Sequence, residues 1–98
     1  MDRAAILDVL KRHEGDLRRL GVRHAALFGS TARDANGAAS DIDILVDIAA
    51  DHPMDVFGYA GLVAFIRDLF PARVDVANRE TLKPKVRDSV ERDALYAF

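Results

Sequence analysis

The sequence predicts a single α/β domain, a small mixed β-sheet packed with helices, over residues 1–98. Two observations lead there. A loop rich in small residues separates two apolar runs that read as strands, His24-Ala25-Ala26-Leu27-Phe28 and Ile42-Asp43-Ile44-Leu45-Val46. Elsewhere, apolar residues recur at three, four and seven, the spacing of one helix face. Half of the residues are hydrophobic, enough for one core with little margin.

Each element has its own signal. Asp2 to Leu20 reads as a helix, with Ile6, Leu7, Leu10, Leu17 and Leu20 on one side. Asp2 suits the N-cap and Gly21 the left-handed stop. Gly15 weakens the interior by about 1 kcal/mol, so a break near Glu14-Gly15 is compatible with the pattern. His13, near the apolar stripe, reads as a half-buried helix histidine. Val22 to Phe28 is the first strand, followed by a helical turn near Thr31 to Asp34. Asp41 to Ile48 is the second strand. Ile42, Ile44 and Val46 share one face; Asp41, Asp43, Leu45 and Asp47 share the other. Asp51-His52-Pro53 make a turn. Met54 to Phe70 is a helix with a broad apolar surface, in which Gly58 and Gly61 have the spacing for close packing, and Pro71 ends it. Arg73-Val74-Asp75-Val76-Ala77 is a short third strand. Asn78 or Thr81 opens a connection to a last helix over Lys85 to Ala97, with Val86, Val90, Leu95 and Tyr96 apolar. The first two strands are expected to be antiparallel neighbours, and the third to return through a crossover.

Composition excludes several classes. The net charge of −2 and pI near 5.8 argue against a free-standing nucleic-acid binder, so no stable DNA binding is expected. There is no cysteine, hence no disulfide and no thiolate metal site. No signal pattern opens the chain and no apolar run approaches about 18 residues, which reads as a soluble cytoplasmic protein with no membrane association.

The residues that carry chemistry are carboxylates. Asp41 and Asp43 lie two apart on one strand face, with Cα atoms roughly 6.5–7 Å apart. Asp75 stands between two valines in the third strand. Aspartate is disfavoured within strands, and several carboxylates brought together repel. A divalent cation resolves that conflict, and all-oxygen ligands suit Mg²⁺, with Mn²⁺ an alternative. Two such ions about 3.5–4 Å apart can hold the attacking and leaving oxygens of a phosphoryl displacement. Solvated aspartates on an open sheet face are the competing reading. Before the pair stand Gly29, which lets the backbone approach a ligand, Ser30, which offers a hydroxyl and an N–H, and Arg33, suited to phosphate oxygens.

Gly29-Ser30-Thr31-Ala32-Arg33 followed by Ser40-Asp41-Ile42-Asp43-Ile44-Leu45-Val46 resembles the signature of the nucleotidyltransferase superfamily that includes DNA polymerase beta. Within it the match is to the minimal nucleotidyltransferases, the MNT-domain proteins, and Val74-Asp75-Val76 matches their third-aspartate strand. The resemblance covers nearly the whole chain and implies the nucleotidyltransferase fold. It also implies roles: Asp41, Asp43 and Asp75 as catalytic and metal-binding residues for two Mg²⁺ ions, Gly29 and Ser30 on the β- and γ-phosphates of ATP, and Arg33 as a further phosphate or loop-ordering residue. Asp34 departs from the family pattern, which has glycine there, and adds negative charge beside a phosphate site.

The chain is too short for the additional domain with which larger relatives bind their acceptors, so the acceptor is expected on a partner. MNT proteins pair with helical HEPN proteins as antitoxins and adenylylate a tyrosine of the toxin. The resemblance therefore implies transfer of AMP from ATP to a HEPN-type toxin within a hetero-oligomer. Phe57, Tyr59, Leu62, Phe65 and Phe70 supply more apolar surface than a small sheet is expected to cover. The alternative reading is a catalytically weak or inactive module of the same fold that neutralises a partner by binding; Asp34 favours it, and the three-aspartate set favours the enzyme.

Overall fold

The structure is a computed structural model and describes residues 1–32 and 41–98. The Asp2 carboxylate accepts a hydrogen bond from the Ala5 amide (2.8 Å) and starts helix α1 (Arg3–Arg12). The helix breaks at His13 and resumes as α2 (Glu14–Arg19). His13 is half-buried, as expected: its Nδ1 lies 2.8 Å from the Val9 carbonyl and its ring meets Phe65 edge-on. Gly21 then turns the chain at φ +103°, and a Cβ there would fall 2.5 Å from His52 Cδ2. Only glycine satisfies both demands.

The remaining elements are β1 (Val22–Leu27), α3 (Gly29–Ala32), β2 (Ile42–Ile48), α4 (Val56–Asp68), β3 (Val74–Asn78), a 3-10 turn (Arg79–Thr81), α5 (Pro84–Asp93) and β4 (Leu95–Tyr96). The sheet order is β3-β2-β1-β4. β1 is antiparallel to β2 and to β4; β3 returns parallel to β2 through α4. The expected antiparallel neighbours and crossover are both present.

One sheet face carries the core. Ile42, Ile44, Val46, Ala25, Leu27, Val22 and Val74 pack with Ile6, Leu10 and Leu17 from the N-terminal helices and with Leu62 and Ile66 from α4. Leu45 and Ala26, buried outside that cluster, lie on the opposite face, where the alternation also puts Asp43 and Asp47. Val22 and Leu27 differ by an odd number of positions, yet both face the core. A bulge reconciles them: Val22 opposes Ile48 but His24 opposes Asp47, so Arg23 is an extra residue.

Three expectations are corrected. The last helix stops at Asp93 rather than Ala97, and Leu95-Tyr96 form an edge strand opposite Leu27 and Ala26. An i, i+4 apolar pattern over Val86 and Val90 carries no information about the residues after it, where unpaired groups along β1 capture the chain. Gly61 has no atom within 4 Å of an added Cβ and Gly58 is exposed beside the Asp55 cap, so neither mediates close packing. Leu62 and Phe70 are core residues and Phe65 packs partly against them, whereas Phe57 is 85% exposed together with Val56. No helix among the described residues is long and apolar enough to cross a membrane.

Leu10, fully buried between α1 and the sheet, is expected to cost about 2–5 kcal/mol on replacement by alanine, and Asp2→Ala about 1 kcal/mol through loss of the cap. Urea unfolding of the two variants measures both.

Candidate active site

The site lies where β1 ends and β2 begins. Parallel pairing of β2 with β3 aligns Ile42 with Val74 and Asp43 with Asp75. Neighbouring strands lie about 4.8 Å apart, and in-register residues project to the same face. Asp43 and Asp75 are thus brought side by side on the face opposite the core. Asp43 is half-buried and Asp75 exposed. Like charges in direct cross-strand register are unfavourable without a cation or donors.

Asp41 stands just ahead of β2, half-buried, with Oδ2 3.7 Å from Arg73 Nε. The Arg73 carbonyl accepts from the Ile42 amide (2.9 Å), which fixes the start of β3 beneath Asp41.

Gly29 supplies the corner. The Phe28 amide donates to the Asp43 carbonyl (3.1 Å), carrying the β1–β2 ladder one residue past β1. Gly29 follows at φ +64°, and a Cβ on it would come 2.6 Å from Asp43 Oδ2. The missing side chain is what lets the backbone lie directly against the carboxylate. The following residues form the single turn α3. Its end is tied to α1, because Arg3 Nη1 donates to the Ala32 carbonyl (2.9 Å). Gly29, Asp43 and Asp75 are therefore gathered in one place, with Asp41 at its margin. Ser30 enters α3, but its side chain lies outside the described residues, as do Arg33 and Asp34.

As the side chains stand, no three His, Cys, Asp or Glu groups converge as metal ligands among the described residues. Backbone positions and donor chemistry nevertheless fit a divalent cation. Two carboxylates share a register position, a third is two residues away on the same strand edge, and every donor is a hard oxygen.

Two positions escaped the sequence reading. Arg3 and Arg73 are ordinary surface arginines by pattern, and only the tertiary structure places one at the end of α3 and the other beside Asp41. A cavity of about 500 Å³ lies elsewhere. It opens at the far end of β2 between Ile48, His52, Met54, Tyr59, Asn78 and Thr81, where burial raises the Tyr59 phenol pKa above its ordinary value. It holds none of the gathered carboxylates.

Residues 10–97 match the nucleotidyltransferase domain family. The chain belongs to that family. Among its relatives, the protein adenylyltransferase MntA of Thermococcus cleftensis is 33% identical over 92 residues, covering 93% of this chain and 91% of that protein. A Methanocaldococcus jannaschii relative named for the same activity is 32% identical over 93 residues, covering 93% of each. A solved minimal nucleotidyltransferase superposes with a TM-score of 0.80 at 27% identity, over 97% of this chain and 95% of that one. The Shewanella oneidensis MNT antitoxin, solved in complex with a tri-AMPylated HEPN toxin, shares the fold with a TM-score of 0.64 at 17% identity, over 94% of this chain and 71% of that one. The gathered residues therefore sit in the domain of a nucleotidyltransferase, and the chain is an enzyme of that class.

Gly29→Ala forces a side chain into a left-handed backbone and onto Asp43. The backbone alone is expected to cost about 1–2 kcal/mol, and any thermal stabilisation that ATP with Mg²⁺ gives the parent chain is expected to vanish. Differential scanning fluorimetry with and without ATP reads both effects.

Proposed function

We propose that this chain transfers AMP from ATP to a tyrosine hydroxyl of a HEPN-type partner protein and so acts as an antitoxin. The observation that carries the reading is the in-register pair Asp43–Asp75, with the Gly29 backbone seated against Asp43. The adenylyltransferase names of relatives that span nearly the whole chain support a protein acceptor. The HEPN complex of a structural neighbour supports the kind of partner.

In this reading Asp41, Asp43 and Asp75 would hold two Mg²⁺ ions, which supply charge neutralisation on the triphosphate and activation of the acceptor oxygen. Gly29 and Ser30 present backbone N–H groups, and Ser30 its hydroxyl, to the β- and γ-phosphates. Arg33 steadies the same loop. The acceptor oxygen attacks the α-phosphorus, a new P–O bond forms, and the bond to the β-phosphate breaks. Pyrophosphate leaves. The acceptor proton passes to Asp75, whose exposed position on the sheet edge meets an incoming side chain. Asp43, less exposed and held at Gly29, orients the nucleotide. The partner contributes the acceptor, so the working unit is a hetero-oligomer in the cytoplasm.

A second reading has one observation in its favour. Asp41 is engaged by Arg73, as suits a module that neutralises its partner by contact alone.

Incubation with ATP, Mg²⁺ and the protein encoded beside it, followed by intact-mass measurement, separates the two. The expected result is addition of adenylyl groups to the partner, reduced at least about 100-fold in rate by Asp43→Asn or Asp75→Asn, in line with losing electrostatic stabilisation at the reacting phosphate. An unmodified partner held in a stable, inhibited complex would establish the module instead.

A further inference from the structure

Helix α5 contains no buried residue. Its apolar positions are few, with Val86 47% exposed and Val90 half-buried. Burial alone gives such a helix little hold on the sheet. Its contacts are polar. Arg79, in the turn after β3, donates to Glu91 of α5 through Nε, and both side chains are half-buried, 28% and 31% exposed. That hydrogen bond is the first cause of an Arg79 pKa above its ordinary value. Arg87 of α5 donates from Nη2 to the Leu82 and Glu80 carbonyls (3.3 and 3.4 Å).

Arg79 also feels Asp47. Val46 pairs with Asn78, so Asp47 and Arg79 are the next residues along the two adjacent strand paths, and their attraction adds to the rise in the Arg79 pKa. Asp47 is 5% exposed, the one buried charged residue among those described. Its Oδ2 accepts from Arg23 Nη2 (2.7 Å) and Nε (3.1 Å), and its Oδ1 is buried without a hydrogen-bond partner. The bulge in β1 delivers Arg23 to that carboxylate. Charges of alternating sign thus run from β1 through β2 and the 3-10 turn to α5: Arg23, Asp47, Arg79, Glu91. Arg79 Nη1 also lies 3.2 Å from Glu80 Oε1. α5 also lies against α3, with Cα atoms within 8 Å.

We propose that this charge relay seats α5 against α3, and that Arg79 and Glu91 are positioning residues for the phosphate-binding corner at Gly29. The inference rests on the nucleotide site proposed above. A partly buried pair fixed by a third charge holds one helix position where apolar contacts would tolerate several. The relay acts on nucleotide binding rather than on the chemical step, because neither Arg79 nor Glu91 is among the residues gathered at the site.

The test compares parent chain, Glu91→Ala and Glu91→Gln. Affinity for ATP with Mg²⁺ is measured by calorimetry, and amide exchange of α5 and α3 by mass spectrometry. Glu91→Ala is expected to weaken ATP binding about 5- to 20-fold and to speed exchange in α5 and α3 together, leaving the α1 and α4 amides protected. Glu91→Gln keeps the acceptor for Arg79 Nε and is expected to recover most of the affinity. Unchanged affinity and exchange in Glu91→Ala overturn the proposal, as does a lower melting temperature with α3 exchange unaltered. A parent chain that binds no ATP refutes the nucleotide site itself; joint loosening of α5 and α3 in Glu91→Ala then still decides whether the relay seats the helix.

Discussion

The structure depends on one pairing, the parallel ladder between β2 and β3. It aligns Asp43 with Asp75 on one face and, through the same register, Ile42 with Val74 and Ile44 with Val76 on the other. The apolar side makes the register robust, since a one-residue slip would expose Val74 and bury Asp75. The polar side inherits that precision without contributing to it. An unfavourable juxtaposition of two carboxylates is therefore enforced by core packing against Leu62 and Ile66 of α4. In the proposed reading, binding energy from a cation and a triphosphate would be recovered at a place that folding has already set.

The corner at Gly29 follows from the second ladder. β1 runs antiparallel to β2, and its last hydrogen bond joins the Phe28 amide to the Asp43 carbonyl. The next residue must turn beside the Asp43 side chain, and the space there admits only a hydrogen at its α-carbon. The same strand solves a separate problem at its other end, where the bulge at Arg23 lets Val22 and Leu27 share the core face. A small sheet thus uses one irregularity for packing and one glycine for a close turn beside Asp43.

Much of this was legible in the sequence. Period-2 alternation in Ile42 to Val46 assigned the carboxylates to the face away from the core, and Val74-Asp75-Val76 repeated the pattern, because strand geometry is local. Asp2 and Gly21 announced the ends of the first helical segment through their capping chemistry. Less legible were the elements whose conformation is chosen by partners. Leu95-Tyr96 look like the end of an amphipathic helix until the open edge of β1 is taken into account. Phe57 and Leu62 are both apolar residues of one helix, and only packing decides that the first is exposed and the second buried. Asp47 drew no notice as one more aspartate on a polar face, although it is the one buried among those described.

The sequence by itself determined the family, the single-domain α/β architecture and the identities of the chemical groups, since these follow from local patterns and from a motif whose residues are close along the chain. Tertiary structure decided which groups meet. Asp75 reaches Asp43 only through a crossover that spans α4, Arg3 reaches the end of α3 across the whole of β1, and Glu91 reaches Arg79 by the return of α5. Such contacts depend on strand register and helix packing, which are properties of the assembled core rather than of any stretch of residues. The stretch from Gly29 to Asp43 that carries the motif is thus a local signal, and its reading as a candidate site comes from the strands on either side of it.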